Sequence, residues 1–176
     1  MGGAGLDPAI PVGADGSIIT PGTSVMVDAN GNFTGYMTDM TRVYSCGTLP
    51  ALAMKAHQCS IDICREREKM GRPGVKASDL YEKAIDIVRA AGLERHFMGY
   101  TQKAGFIGHG VGIEINELPV IAPRSRDILQ EHNVIALEPK FVVPGVGAVG
   151  IENTYIVTAD GLERITDAPE QIINLE

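Results

Sequence analysis

The sequence predicts an α+β or mixed α/β domain, and three observations carry that expectation. Strand-like runs lie toward both ends of the 176-residue chain, two segments with helical apolar stripes lie between them, and Asn and Gly turn signals punctuate the strands. One domain is expected over residues 1–176, a length that buries a sizeable core. Hydrophobic residues make up 44% and charged residues 21%, ordinary values for a globular protein. The net charge of −7 argues against nucleic acid or an anionic membrane surface as partner. No apolar run approaches the roughly 18 residues of a membrane span, and no charged leader with an apolar stretch opens the chain. Cys46, Cys59 and Cys64 form no CxxC pair and leave an odd count, which reads as reduced thiols in a cytoplasmic protein.

The first 20 residues are rich in Gly, Pro and Ala and read as loop, with one short strand at 17–20. Strands follow at about 23–29 and 33–45, around the stretch VDANGNFTGYMTDMTR. Its Asn30-Gly31 is a strong hairpin signal, because both residues tolerate φ > 0. A two-residue turn there sets Asp28 opposite Phe33, and the same face continues through Gly35 and Met37 to Asp39. Two carboxylates, Asp28 and Asp39, thus share one face of an otherwise apolar hairpin. The segment LPALAMKAHQCSIDICREREKM predicts a helix with Leu52, Ala56, Cys59, Ile63 and Met70 on one side, closed by GRPG. A second helix is expected over about 78–91, with Leu80, Ala84, Ile87 and Ala91 buried and Gly92 at C′.

From Gly105 the chain becomes Gly-punctuated, in GFIGHGVGIEINELP, a composition that lets backbone approach something closely. NVIALEPKFVV and GAVGIENTYIVT then read as strands flanking PGVG, and a last hairpin turns at Asp160-Gly161. Glu138 and Glu152 lie symmetrically about Gly145, so a reversal centred there makes them cross-strand neighbours. Like charges placed so are destabilising, and Ile135, Leu137, Val142, Ile151 and Ile156 make these strands look buried. Buried carboxylate pairs must share a proton, find cations or bind metal. Either pair alone has an ordinary explanation, turn chemistry for Asp28 and a solvent-facing strand for a lone Glu. Two pairs in one chain are harder to explain that way. His109, between two glycines, is the natural fifth member. Four carboxylates and one imidazole suit divalent Mn, Co, Fe or Zn, and so many anionic donors favour two ions over one.

The order and spacing of Asp28, Asp39, His109, Glu138 and Glu152 resemble the dinuclear metallopeptidases of the pita-bread fold, peptidase family M24. That family includes the methionine aminopeptidases, aminopeptidase P and the Xaa-Pro dipeptidases. The motifs DANGNFTGYMTDMTR, GHGVGIEINELP, ALEPKF and GIENTYIVTADG look most similar to the Xaa-Pro branch. The resemblance implies a curved, mainly antiparallel sheet with flanking helices. It implies that Asp28 binds one metal, that Asp39 and Glu152 bridge two, and that His109 and Glu138 complete the set. A metal-bridged water would then attack a peptide carbonyl, with Glu138 as the catalytic proton shuttle. A small peptide substrate and a homodimer are the expected partners.

Three positions depart from that pattern. Val12 stands where a histidine is usual, Asn116 where a second histidine is usual, and Gly150 where the Xaa-Pro enzymes carry arginine. Such groups hold substrate and stabilise the developing oxyanion; Asn116 can still donate a hydrogen bond there. Only 27 residues precede Asp28, where the family has a helical half-domain, so a partial pita-bread domain is expected. Two alternatives follow: a non-peptidase hydrolase or lyase acting on a small amide or ester, and an inactive binding module if the chain is truncated.

Overall fold

The computed structural model describes residues 18–175. It opens on a long hairpin, β1 (Ser24–Phe33) and β2 (Tyr36–Ser45), followed by α1 (Ala51–Met70) and α2 (Ala77–Ala91). Eight short strands come next: β3 (Gly108–Gly110), β4 (Glu117–Val120), β5 (Val134–Leu137), β6 (Lys140–Val143), β7 (Gly147–Gly150), β8 (Asn153–Thr158), β9 (Gly161–Arg164) and β10 (Ile173–Asn174). The strands run β1-β2-β10, β4-β3-β5-β8-β9 and β6-β7, antiparallel except where β10 lies parallel to β2. A bridge between Thr41 and Glu152 joins the first group to the second. Ser24 N–H donates to the Val146 carbonyl at 2.9 Å, tying the first group to the β6–β7 turn. No helix among the described residues is long and apolar enough to cross a membrane.

The first hairpin turns four residues later than the Asn-Gly signal suggests. Thr34 and Gly35, with φ of 52° and 94°, form the turn, and Asn30-Gly31 lie inside β1. Turning later lets ten residues pair on each side, and the Asn32 side chain accepts from Gly35 N–H at 3.2 Å. Asp28 pairs with Thr41, and Asn30 with Asp39. The partner of Asp28 moves from the expected Phe33 to Thr41, an even shift in pairing register, so Asp28 and Asp39 remain on one face. A one-residue slip would have separated them.

Glu138 and Glu152 lie where the Gly145 symmetry puts them. Two ladders share that symmetry, Lys140 opposite Gly150 in β6–β7 and Leu137 opposite Asn153 in β5–β8. The glutamates sit in the break between the ladders, where Glu138 N–H turns to the Ile107 carbonyl at 2.8 Å.

Helix α1 packs against β6, β7 and β9, and its buried face departs from the predicted stripe. Leu52 is 40% exposed, whereas Ala53, His57, Ser60, Cys64 and Arg67 are buried with Ala56, Cys59 and Ile63. The polar members go inside because each finds backbone hydrogen-bond partners there: His57 at Gly150 and Glu170, Ser60 at Pro139 and Ile151, and Arg67 at Leu80. In α2 the stripe is Ala77, Leu80, Ala84 and Val88, with Ile87 and Ala91 half-buried, and Gly92 closes it with φ 67° as expected. The last hairpin turns at Ala159–Asp160, one residue before the expected place, since Thr158 pairs with Gly161. Residues 18–20 form no strand; Ser17 and Val12 lie outside the described residues.

Candidate metal centre

The second hairpin is fixed from behind by α1. Ser60 Oγ donates to the Pro139 carbonyl at 2.5 Å and accepts from Ile151 N–H at 2.9 Å. His57 Nδ1 accepts from Gly150 N–H at 3.2 Å, which leaves Nε2 to donate to the Glu170 carbonyl at 2.7 Å. One helix face therefore holds the residues next to both glutamates. Arg42 adds a third clamp: Nη1 donates to the carbonyls of Thr41 and Glu152, both at 2.8 Å. Its Nη2 donates to Asn153 Oδ1 at 2.7 Å and to the Ala168 carbonyl at 3.1 Å.

All five predicted side chains converge, around two nitrogens. His109, central in β3, donates from Nδ1 to the Gly110 carbonyl at 3.0 Å. In the neutral ring that bond places the proton on Nδ1, which leaves the Nε2 lone pair to face the cluster. It faces Glu138 Oε1 at 3.5 Å, Asp39 Oδ2 at 3.8 Å and Glu152 Oε1 at 3.9 Å. Charge-assisted hydrogen bonds are about 2.7–2.9 Å long, so these separations are too wide for a proton to bridge. They approach the edge of a tetrahedron around an ion with ligands at about 2.1 Å, roughly 3.4 Å. Asp39 Oδ1 is buried with no hydrogen-bond partner. Donor types, spacing and orphaned oxygen all fit a divalent cation on this side, where ligand atoms of Asp39, His109 and Glu152 lie within 4.8 Å of one another.

The other nitrogen was not anticipated. Lys140, 3% exposed, sends Nζ to Glu138 Oε2 at 2.8 Å and to Asp28 Oδ2 and Glu152 Oε2, both at 3.1 Å. Glu138 and Glu152 each give one oxygen to His109's side and one to Lys140's side. Thr41 Oγ1 also donates to Glu152 Oε2 at 2.7 Å. One signal for Lys140 was present in ALEPK: it stands two residues after Glu138, hence on the same strand face. Lysine is read as a surface residue by default, which hid it.

Electrostatics differ between the sides. Burial pushes the Asp39 carboxyl up to about 8, reinforced by Glu152 and Asp28, with Lys140 acting against the shift. Burial also raises Glu152, again against Lys140. Burial alone would lower the Lys140 pKa, but Glu152, Glu138 and Asp28 raise it above the ordinary lysine value.

Beside His109 opens a cavity of about 520 Å³, lined by Phe106, Asn116, Glu117, Leu118 and Val120. Asn116 thus lines the cavity next to His109. Gly150 has no such access. Its φ is 137°, and a Cβ there would meet the Pro139 carbonyl at 2.6 Å and Lys140 Cα at 3.0 Å. The backbone here leaves no room for the arginine that the resemblance expects.

The fold and its inward carboxylates define the pita-bread class. The chain belongs to metallopeptidase family M24, whose profile matches residues 3–159. It is 28% identical to the Xaa-Pro dipeptidase of Pyrococcus furiosus over 94% of its own length and 46% of that protein. In structure it is similar to the X-Pro aminopeptidase of Thermotoga maritima, with a TM-score of 0.85 at 25% identity over 98% of this chain and 49% of the other. A dipeptidase of Pyrococcus horikoshii gives 0.85 at 29% identity, over 99% and 48%. The chain spans about half the length of the relatives it matches.

Proposed function

We propose that the protein is a metal-dependent peptide hydrolase of the Xaa-Pro dipeptidase or aminopeptidase type. Asp39, His109, Glu138 and Glu152 hold a divalent ion of the Mn, Co, Fe or Zn class, and Asp28 completes the carboxylate ring. The observation that carries this reading is the convergence of His109 Nε2 on three carboxylate oxygens at 3.5–3.9 Å, beside an Asp39 oxygen with no hydrogen-bond partner. When bound, such an ion supplies Lewis acidity, acidifying water and polarising a peptide carbonyl.

This chain's own residues do the rest. Glu138 Oε1 lies on the His109 side, positioned to take a proton and return it to a leaving amine. Its other oxygen is held by Lys140 at 2.8 Å, which fixes the carboxylate's direction. Phe106 stands edge-on to His109, with ring centroids 5.9 Å apart, and covers one side of the imidazole. The Asn116 amide can donate to a substrate carbonyl in the adjoining cavity. A second reading, hydrolysis of a small amide or ester on the same scaffold, is favoured by Gly150, which offers substrate no side chain and has no room for one.

The test is kcat/KM of metal-stripped and reconstituted protein on Ala-Pro and Met-Pro beside small amides and esters. Turnover should require added metal and be lost in His109→Ala. Hydrolysis unaffected by chelation, or retained by His109→Ala, would overturn the reading. Turnover of esters with none of dipeptides would select the second one.

A further inference from the structure

The Lys140 ammonium sits where the resemblance expects a second metal ion. An ammonium has three protons, and Lys140 aims them at three carboxylate oxygens at 2.8–3.1 Å. Two of those oxygens, from Asp28 and Glu152, belong to residues that the resemblance assigns to an ion on that side. An ion with bonds of about 2 Å to them would overlap Nζ. Lys140 is also anchored: its carbonyl accepts from Met98 N–H at 2.8 Å, and its residue is 3% exposed. The opposite side is different. No contact ties Lys140 to Asp39 or His109 among the described hydrogen bonds and ion pairs, and Asp39 Oδ1 has no partner.

We propose that Lys140 permanently takes the place of one of the two cations, so that the centre binds a single divalent ion, on the His109 side. This rests on the metallopeptidase reading above and changes the number of ions from two to one. Glu138 and Glu152 then bridge an ion and an ammonium, and Asp28 serves the ammonium alone.

The test counts metal rather than turnover. Chelator-stripped protein is dialysed against Mn²⁺, and bound metal is measured for wild type and Lys140→Ala. One equivalent in the wild type and two in Lys140→Ala is the expected result. Electron paramagnetic resonance of the Mn²⁺-loaded wild type gives a second readout that does not depend on the variant folding. It should show an isolated ion, without the exchange coupling of a carboxylate-bridged pair. Two equivalents or a coupled spectrum in the wild type overturns the inference and leaves the metallopeptidase reading standing. One equivalent in both proteins removes Lys140 as the cause and also overturns it. No metal in the wild type but some in Lys140→Ala means that the lysine closes the whole centre, which overturns the single-ion arrangement. No metal in either protein overturns the metallopeptidase reading itself.

Discussion

The two hairpins that meet at the carboxylate cluster hold their acids in different ways. Glu138 and Glu152 are braced by groups outside their own strands: Ser60 and His57 from α1, Arg42 from β2. Asp28 and Asp39 are held mainly by the β1–β2 ladder, with one outside bond from Thr154 Oγ1 to the Asp39 carbonyl at 2.8 Å; the Asp28 side chain is 44% exposed and one oxygen of Asp39 is unpartnered. One pair belongs to a prebuilt scaffold. The other pair offers its carboxylates with fewer supports from outside the hairpin.

The largest way to break that contrast is to remove the outer brace. Arg42 donates four hydrogen bonds inside the protein, three to backbone carbonyls and one to Asn153. Arg42→Met removes all four of these charge-assisted bonds, each worth about 1.5–3 kcal/mol, although the Thr41 and Glu152 carbonyls keep each other's backbone N–H as donor. A total loss of at least ~3 kcal/mol is expected, or roughly 6–12 °C in Tm for a chain of this size. Calorimetry checks it. A fall below about 2 °C would mean that Arg42 is dispensable and that Glu152 is held by its strand alone.

Much of the centre was legible because sheet faces depend only on parity. The turn at Thr34-Gly35 was misplaced, yet Asp28 and Asp39 stayed together, since a shift by an even number of residues preserves the face. The Gly145 symmetry survived because one register runs through both ladders. What stayed hidden acts through backbone or against type. Ser60, His57 and Arg42 bind carbonyl and amide groups, which leave no mark in side-chain patterning. Apolar periodicity consequently gave Leu52 to a face that belongs to Ala53, His57 and Ser60. Lys140 breaks the rule that lysines face water, and only the surrounding acids explain why it can.

A middle-sized effect comes from pH. In the metal-free protein the Asp39 carboxyl is pushed up to about 8, against an ordinary value of 3.8. The folded state then keeps a proton that the unfolded chain releases. That contribution to stability is complete below about pH 4 and is lost as pH rises through about 8. Tm of chelator-treated protein should therefore fall between about pH 5 and pH 8. The slope should flatten when a divalent ion replaces the proton, and should shrink in Asp39→Asn. A slope unchanged by both would show that Asp39 carries no unmet charge, and the contrast between the two hairpins would lose its basis.

The smallest effect is also the sharpest divider of the two sides. If Asp28 serves Lys140 and never touches the ion, Asp28→Asn removes one partly exposed charge from an ammonium that keeps two buried carboxylates. A part-exposed ion pair is worth up to about 1 kcal/mol, so Mn²⁺ affinity should change by no more than about fivefold. Asp39→Asn, by contrast, removes a charged oxygen that faces His109 at 3.8 Å. Its cost should exceed the roughly 100-fold that substitution of outer partners reaches at metal sites. Calorimetric titration of both variants with Mn²⁺ gives the comparison directly. Equal losses would mean that Asp28 holds an ion itself, and the division into an ammonium side and a metal side would fall.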